Sequence, residues 1–156
     1  MLTFIVSVCS KKETCLIMAG LILVRDVMTK EPRVVRRDTN VQEVVATMGK
    51  FDISSIIVVE EKRPIGIVTH KDIISKLVQA RIPPDAVTAR EVMTSPVVTI
   101  SEDSSIEDAA RLMSKKHIKK LIVTRNNNEL AGIITSSDLV REAPKTTELL
   151  NQLLKK

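Results

Sequence analysis

A chain of 156 residues, 44% hydrophobic and 28% charged, is long enough for one compact core or two small ones, and its composition excludes disorder. Aromatic residues make up 1% of it, Phe4 and Phe51 alone, so the core must be built from Val, Ile, Leu, Met and Ala, which argues against nucleic-acid binding on aromatic platforms. The net charge of +5 suits an anionic partner, yet 12 basic and 9 acidic residues lie from Arg25 to Arg90, and 10 basic and 9 acidic from Glu91 to Lys156, so neither half is a basic tail.

The first apolar run, Met1 to Val8, is followed by Lys11, Lys12 and Glu13, and the second, Cys15 to Val24, has ten residues; neither is long enough to span a bilayer. A secretory signal would need a basic stretch ahead of its apolar core, which this segment lacks. Cys9 and Cys15 stand at a spacing that suits no zinc site and read as ordinary thiols of a reducing cytosol. Residues 1–17 are expected to be an optional extension from an upstream start codon, with Met18 opening the native chain.

From Asp26 onward the chain repeats itself. Val27-Met28-Thr29 returns as Val92-Met93-Thr94, and Gly66-Ile67-Val68-Thr69-His70-Lys71-Asp72 as Gly132-Ile133-Ile134-Thr135-Ser136-Ser137-Asp138, after 65 and then 66 residues. The apolar pairs Val34-Val35 and Val97-Val98 match, at a shift of 63, if the second copy is shortened after Thr94, and one residue is gained in the turn before Gly132. Both apolar pairs open short strands, Val97 to Ile100 in the second copy. Thr39 with Gln42, and Ser104 with Glu107, have the spacing of capping boxes that start a helix. Val41, Val44, Val45 and Met48, and then Ile106, Ala109, Ala110 and Met113, fall on one face of those helices.

Ile56 to Val59 and Leu121 to Thr124 are continuous apolar runs, as expected of strands covered on both faces. Five-residue connections, Glu60 to Pro64 and Arg125 to Glu129, lead into Ile65 to Val68 and Leu130 to Ile134. A second helix starts at Thr69 and at Thr135. Each copy is therefore strand-helix-strand-strand-helix, an α/β (α+β) unit. The expected boundaries are an extension at 1–18, a first repeat at 19–82, a linker at 83–90 around Pro83-Pro84, a second repeat at 91–143 and a helical tail at 144–156. Leu149, Leu150, Leu153 and Leu154 share one side of that tail, with too few flanking cations for a membrane anchor.

Chemistry gathers at the junctions beginning Thr69 and Thr135, where helix N-termini offer unpaired N–H groups. Thr69 and Thr135 would cap those helices, and Asp72 and Asp138 would answer the helix dipole. Alternatively, each carboxylate accepts from neutral donors such as a ribose diol, at roughly 1.5–3 kcal/mol per charge-assisted bond. Ser136 and Ser137 add hydroxyls in the second copy. His70 and His117 are the only histidines, and no nucleophile, base or metal-ligand constellation accompanies them, so catalysis is not expected.

The paired Val-Met-Thr and Gly-Ile-x-Thr-x-x-Asp motifs, covering Val24 to about Arg141, make the chain resemble a tandem pair of cystathionine-β-synthase (CBS) domains, a Bateman module. The resemblance implies two repeats related by a pseudo-twofold axis, clefts between them, and a homodimer forming a four-repeat disc. It implies AMP, ADP or ATP as the ligand, ahead of S-adenosylmethionine, and no cofactor. It assigns the ribose to Asp72 and Asp138 and the ribose-phosphate edge to Thr69 and Thr135. Adenine would be clasped by Val35 and Ile53 in one copy and Val98 and Ile118 in the other. Lys119 and Lys120, where the first copy has Ser54-Ser55, would reach the phosphates. The expected function is a cytoplasmic, non-catalytic nucleotide sensor regulating an unidentified protein, with no membrane contact. Nucleic-acid binding and a purely structural dimerisation module are the alternatives.

Overall fold

The computed structural model describes residues 22–142; both cysteines, the 1–18 extension and the 144–156 tail lie outside that span. The chain order is α1 (Val24–Val27), β1 (Thr29–Lys30), β2 (Val34–Arg36), α2 (Val41–Phe51), β3 (Ser55–Glu60), β4 (Arg63–Thr69) and α3 (His70–Ile73), which runs on as a π-helical turn, Ile74–Val78. A 3-10 turn at Pro84–Ala86 leads into α4 (Ala89–Val92), β5 (Thr99–Ser101), α5 (Ile106–Lys116), β6 (Lys120–Thr124) and β7 (Leu130–Thr135), and residues 136–142 are helical.

Two sheets result. In the first, β2 runs parallel to β3, which pairs antiparallel with β4; in the second, β5 runs parallel to β6, which pairs antiparallel with β7. Ile56 to Val58 and Leu121 to Val123 are buried without a break, as strands covered on both faces require. Matching bulges at Val58/Val59 and Val123/Thr124 bend both long strands at the same place.

Each repeat completes the other. β1 adds an antiparallel edge to β7 of the second repeat, Thr29 opposite Ile133, while Thr94 bridges Ile67 of the first. Val24 and Met28 are buried with Ile100, Met113, Leu121 and Ile134, and Ala89 and Val92 with Val41, Met48, Ile56 and Leu77. The leading segment of each copy thus fills the core of its neighbour, at roughly 1.5–3 kcal/mol for each large side chain buried. The glycines of the closing motifs make room for this exchange. A Cβ on Gly66 would collide with the side chain of Met93, and one on Gly132 would stand 2.6 Å from Met28 Sδ and 2.7 Å from the Thr29 carbonyl.

Several sequence expectations need correction. Strand register sets Val34 against Ile57 and Thr99 against Ile122, so Val35 corresponds to Ile100 and the shift holds at 65 residues with no deletion after Thr94. The slip was two residues, which keeps every side chain on its face and leaves the apolar alternation intact. β5 therefore starts at Thr99, beyond Val97-Val98. The helix caps are Asn40 and Ser105, each one residue later than expected; their side chains accept from Gln42 N and Asp108 N, while the Thr39 hydroxyl turns back to Arg36 N. Val45 and Ala110 are exposed and do not join the buried face.

The first hairpin is closed by two residues rather than five. Glu61 and Lys62 take φ of 56° and 105°, the left-handed values of a turn that matches strand twist, and Pro64 sits beside the bulge in β4, the edge strand of its sheet, where proline is tolerated. Both long helices end alike. Asp52 and His117 adopt left-handed φ of 50° and 53°, and Ile53 N and Ile118 N donate back to Met48 O and Met113 O. This Schellman geometry folds Ile53 over Met48 and Ile118 over Met113.

Candidate functional site

Thr69 and Thr135 occupy equivalent cap positions, and the aspartates three residues on close a capping box. Asp72 Oδ2 accepts from Thr69 N at 2.8 Å and from its hydroxyl at 2.5 Å; Asp138 Oδ2 accepts from Thr135 N at 2.9 Å and from its hydroxyl at 2.7 Å. Each carboxylate therefore satisfies a backbone donor that the first helical turn leaves unpaired. Only one oxygen of each is used in this way.

The second oxygens differ. Asp72 Oδ1 accepts from the Thr94 hydroxyl at 2.9 Å and stands 4.0 Å from Lys76 Nζ, whereas Asp138 Oδ1 faces the Arg141 guanidinium at 3.6 Å. Lys76 also donates to Val92 O and Met93 O, capping the C-terminus of α4. The side chains of Asp72 and Asp138 are 13% and 12% exposed. At the N-terminus of α4 the Thr88 backbone N–H and hydroxyl bond Glu91 and hold its carboxyl below the usual range.

A cleft of about 410 Å³ opens where β1 leaves the second sheet and the chain crosses through Glu31, Pro32 and Arg33 to β2. From the first repeat it takes Thr29, Phe51, Ile53, Ser54 and Ser55; from the second, Lys120, Ile133 and Thr135. Its size falls in the usual range for a small-molecule pocket. Lys120 Nζ donates to Ser54 Oγ at 3.0 Å across the repeats, so the two positions that differ most between copies meet here. Arg33 lies over the Phe51 ring at 3.9 Å and adds a second cation to the wall.

The expected site residues separate into three groups. Ile53, Lys120 and Thr135 line this cleft together. Thr69 pairs with Ser55 and Thr135 with Lys120, each beside the start of a long strand, while Asp72 and Asp138 sit one helical turn on; Thr69, Asp72 and Asp138 are not part of the cleft lining. Val35, Val98 and Ile118 are half-buried against the two cores and do not line the cleft. Lys119 contributes its carbonyl to Ser136 N, as Ser54 does to His70 N, and both bonds hold the helix start against the strand. Ser136 is half-buried and Ser137 exposed.

Sequence reasoning missed Thr29, Arg33, Phe51 and Thr94. Thr29 and Thr94 carried a usable signal, since the threonine of Val-Met-Thr stands in both copies. Arg33 carried none, because the register slip set it opposite the wrong residue. Among the described residues no cluster of His, Cys, Asp or Glu could hold a metal ion, and no helix is long and apolar enough to cross a membrane.

The CBS domain family model matches residues 24–79 and 89–145. An uncharacterized protein of Methanopyrus kandleri is 36% identical over 133 residues, covering 85% of this chain; the chain spans only 65% of that relative's length. The CBS domain pair of protein MJ0100, solved in complex with 5′-methylthioadenosine and S-adenosyl-L-methionine, is 29% identical, with a TM-score of 0.72 over 80% of this chain and 98% of that one. CBSX2, solved in complex with AMP, shares the fold at 22% identity, with a TM-score of 0.69 over 80% of this chain and 98% of that one.

Proposed function

We propose a ligand-sensing role from one premise: this chain belongs to the CBS domain family, and its two repeats enclose a cleft suited to an adenosine compound. The observation that carries this reading is the inter-repeat cleft, in which Thr135 of one closing motif meets Ile53 and Ser54 of the other repeat beside the cations Lys120 and Arg33. The lining sets the cations Arg33 and Lys120 and the carboxylates Glu31 and Asp52 beside apolar side chains, a mixed wall that suits a purine nucleoside carrying charged and polar groups. The carboxylates of Asp72 and Asp138 are assigned to ribose hydroxyls, and Lys120 to phosphate. Lys119 supports the site through its backbone carbonyl. The complex of MJ0100 with two adenosine compounds supports the class of ligand, and Lys120 and Arg33 are the groups assigned to the phosphates of AMP, ADP or ATP.

Ligand held between the repeats would shift their relative orientation in proportion to its differential affinity for two arrangements, and a partner protein would read the shift. The function is non-catalytic. A homodimer is part of the same proposal, supported by Ile74 and Val140, which occupy equivalent positions on the helices after Thr69 and Thr135 and are 54% and 72% exposed.

A thermal-shift panel of AMP, ADP, ATP, S-adenosylmethionine and GMP tests the reading, because a ligand that binds the folded state raises the melting temperature. The adenine nucleotides are expected to raise it and GMP to leave it unmoved; a melt indifferent to every adenosine compound contradicts the assignment. In calorimetry, Lys120→Ala is expected to weaken AMP roughly tenfold by removing a charge-assisted contact, and Lys119→Ala to change it little. Unchanged affinity in Lys120→Ala would remove the phosphate role.

A further inference from the structure

We propose that Thr94, a residue of the second repeat, limits how the first repeat's aspartate can hold a ligand diol, and so makes the two carboxylates unequal. The proposal rests on the adenosine reading above and assigns a specificity residue within it. Each carboxylate oxygen offers two acceptor positions. On Asp72, both positions of Oδ2 are taken by Thr69 N and the Thr69 hydroxyl, and one position of Oδ1 is taken by the Thr94 hydroxyl at 2.9 Å. One position is left. A vicinal diol brings two O–H donors, so Asp72 can accept both only if Thr94 lets go.

Among the described residues Asp138 has no such competitor. Its Oδ2 is filled in the same way by Thr135, but Oδ1 faces only Arg141 at 3.6 Å, too far for a hydrogen bond, and Thr29, the counterpart of Thr94, lines the cleft instead. Asp138 can therefore take both hydroxyls of a diol without breaking a hydrogen bond to a protein group. The difference is a matter of side chain alone. Thr94 is exposed, and its backbone is tied to Ile67 by two hydrogen bonds of 2.8 and 3.1 Å, so rotation of its hydroxyl leaves the strand bridge in place.

Calorimetric titration of the full chain with AMP tests this on wild type, Thr94→Val, Thr29→Val and the double variant Thr94→Val/Asp72→Ala. Valine keeps the branched shape and removes only the hydroxyl. Wild type is expected to show two unequal affinities, and Thr94→Val to tighten the weaker one roughly two- to tenfold, the equivalent of one competing hydrogen bond. Thr29→Val, which removes a hydroxyl from the cleft beside Thr135, should not tighten the weaker affinity, and adding Asp72→Ala should abolish the gain. If AMP binds but Thr94→Val changes neither affinity, or the gain survives loss of Asp72, the proposal falls while the adenosine reading stands. If AMP, ATP and S-adenosylmethionine all give no binding heat, that reading falls and takes the proposal with it.

Discussion

Replacing Gly132 by alanine is expected to destabilise the fold by about 1–3 kcal/mol, toward the upper end, with Gly66→Ala costing less. Both glycines pack against a methionine delivered by the other repeat, but the obstacles differ in kind. At Gly66 the nearest obstacles are Met93 Sδ and Cγ, which side-chain rotation can move aside, and Met93 Cβ at 3.0 Å, which needs a shift of a few tenths of an ångström. At Gly132 it also meets the Thr29 carbonyl at 2.7 Å, and Thr29 is held in register opposite Ile133 as the edge strand of the second sheet. The methyl must therefore push β1 off the sheet or bend β7. Double-mutant cycles separate the two cases. Trimming Met93 should recover much of the loss in Gly66→Ala, while trimming Met28 should recover little in Gly132→Ala. Equal rescue at both positions in urea denaturation would show that the carbonyl contact carries no weight.

The second large effect concerns the ligand. Asp138→Asn is expected to weaken AMP by about 100-fold or more, since two charge-assisted hydrogen bonds to a diol are worth roughly 1.5–3 kcal/mol each. Asparagine keeps the size of the side chain and an oxygen that can accept from Thr135 N, so the helix cap survives in part. Asp138→Ala removes cap and acceptor together and should also cost about 1 kcal/mol of stability. The pair of variants distinguishes the two jobs of this residue. A carboxylate that only caps the helix would give an asparagine variant with undiminished affinity and an alanine variant with a lower melting temperature. One that also grips ribose loses affinity in both.

Legibility in the sequence followed the range of the interaction. The order of elements, the buried central strands and the Thr-x-x-Asp caps depend on residues within a few positions of one another, and the duplication shows as matching segments 65 and 66 residues apart, so each could be read from spacing. Exchange of the leading segments could not. Nothing in Val-Met-Thr or in Gly-Ile-x-Thr says that Met28 fits against Gly132 and Met93 against Gly66, because the partners lie about a hundred residues apart in one case and about thirty in the other. The turn at Glu61-Lys62 was hidden for a different reason. Left-handed turns of this kind favour glycine or asparagine, and here a glutamate and a lysine adopt those angles because strand pairing on either side imposes them.

The same distinction runs through the site. Thr135, Ile53 and Lys120 were legible as members of motifs, but their meeting in one cleft depends on the way β1 crosses between sheets. The apolar match points to Val98, whereas strand register puts Ile100 at the position matching Val35, and a two-residue slip gives no warning in the hydrophobic pattern. Thr94 was visible as the repeated end of Val-Met-Thr. Its bond to Asp72 was not, since that bond joins one repeat to the other across 22 positions.

A crystal structure of the chain grown with AMP tests the central claim most directly. The claim requires the nucleotide between the repeats, with its ribose hydroxyls on Asp138 Oδ1 and its phosphate toward Lys120. Empty clefts at saturating nucleotide, or AMP bound away from both Asp72 and Asp138, would contradict it and leave a paired scaffold whose aspartates serve only to start helices.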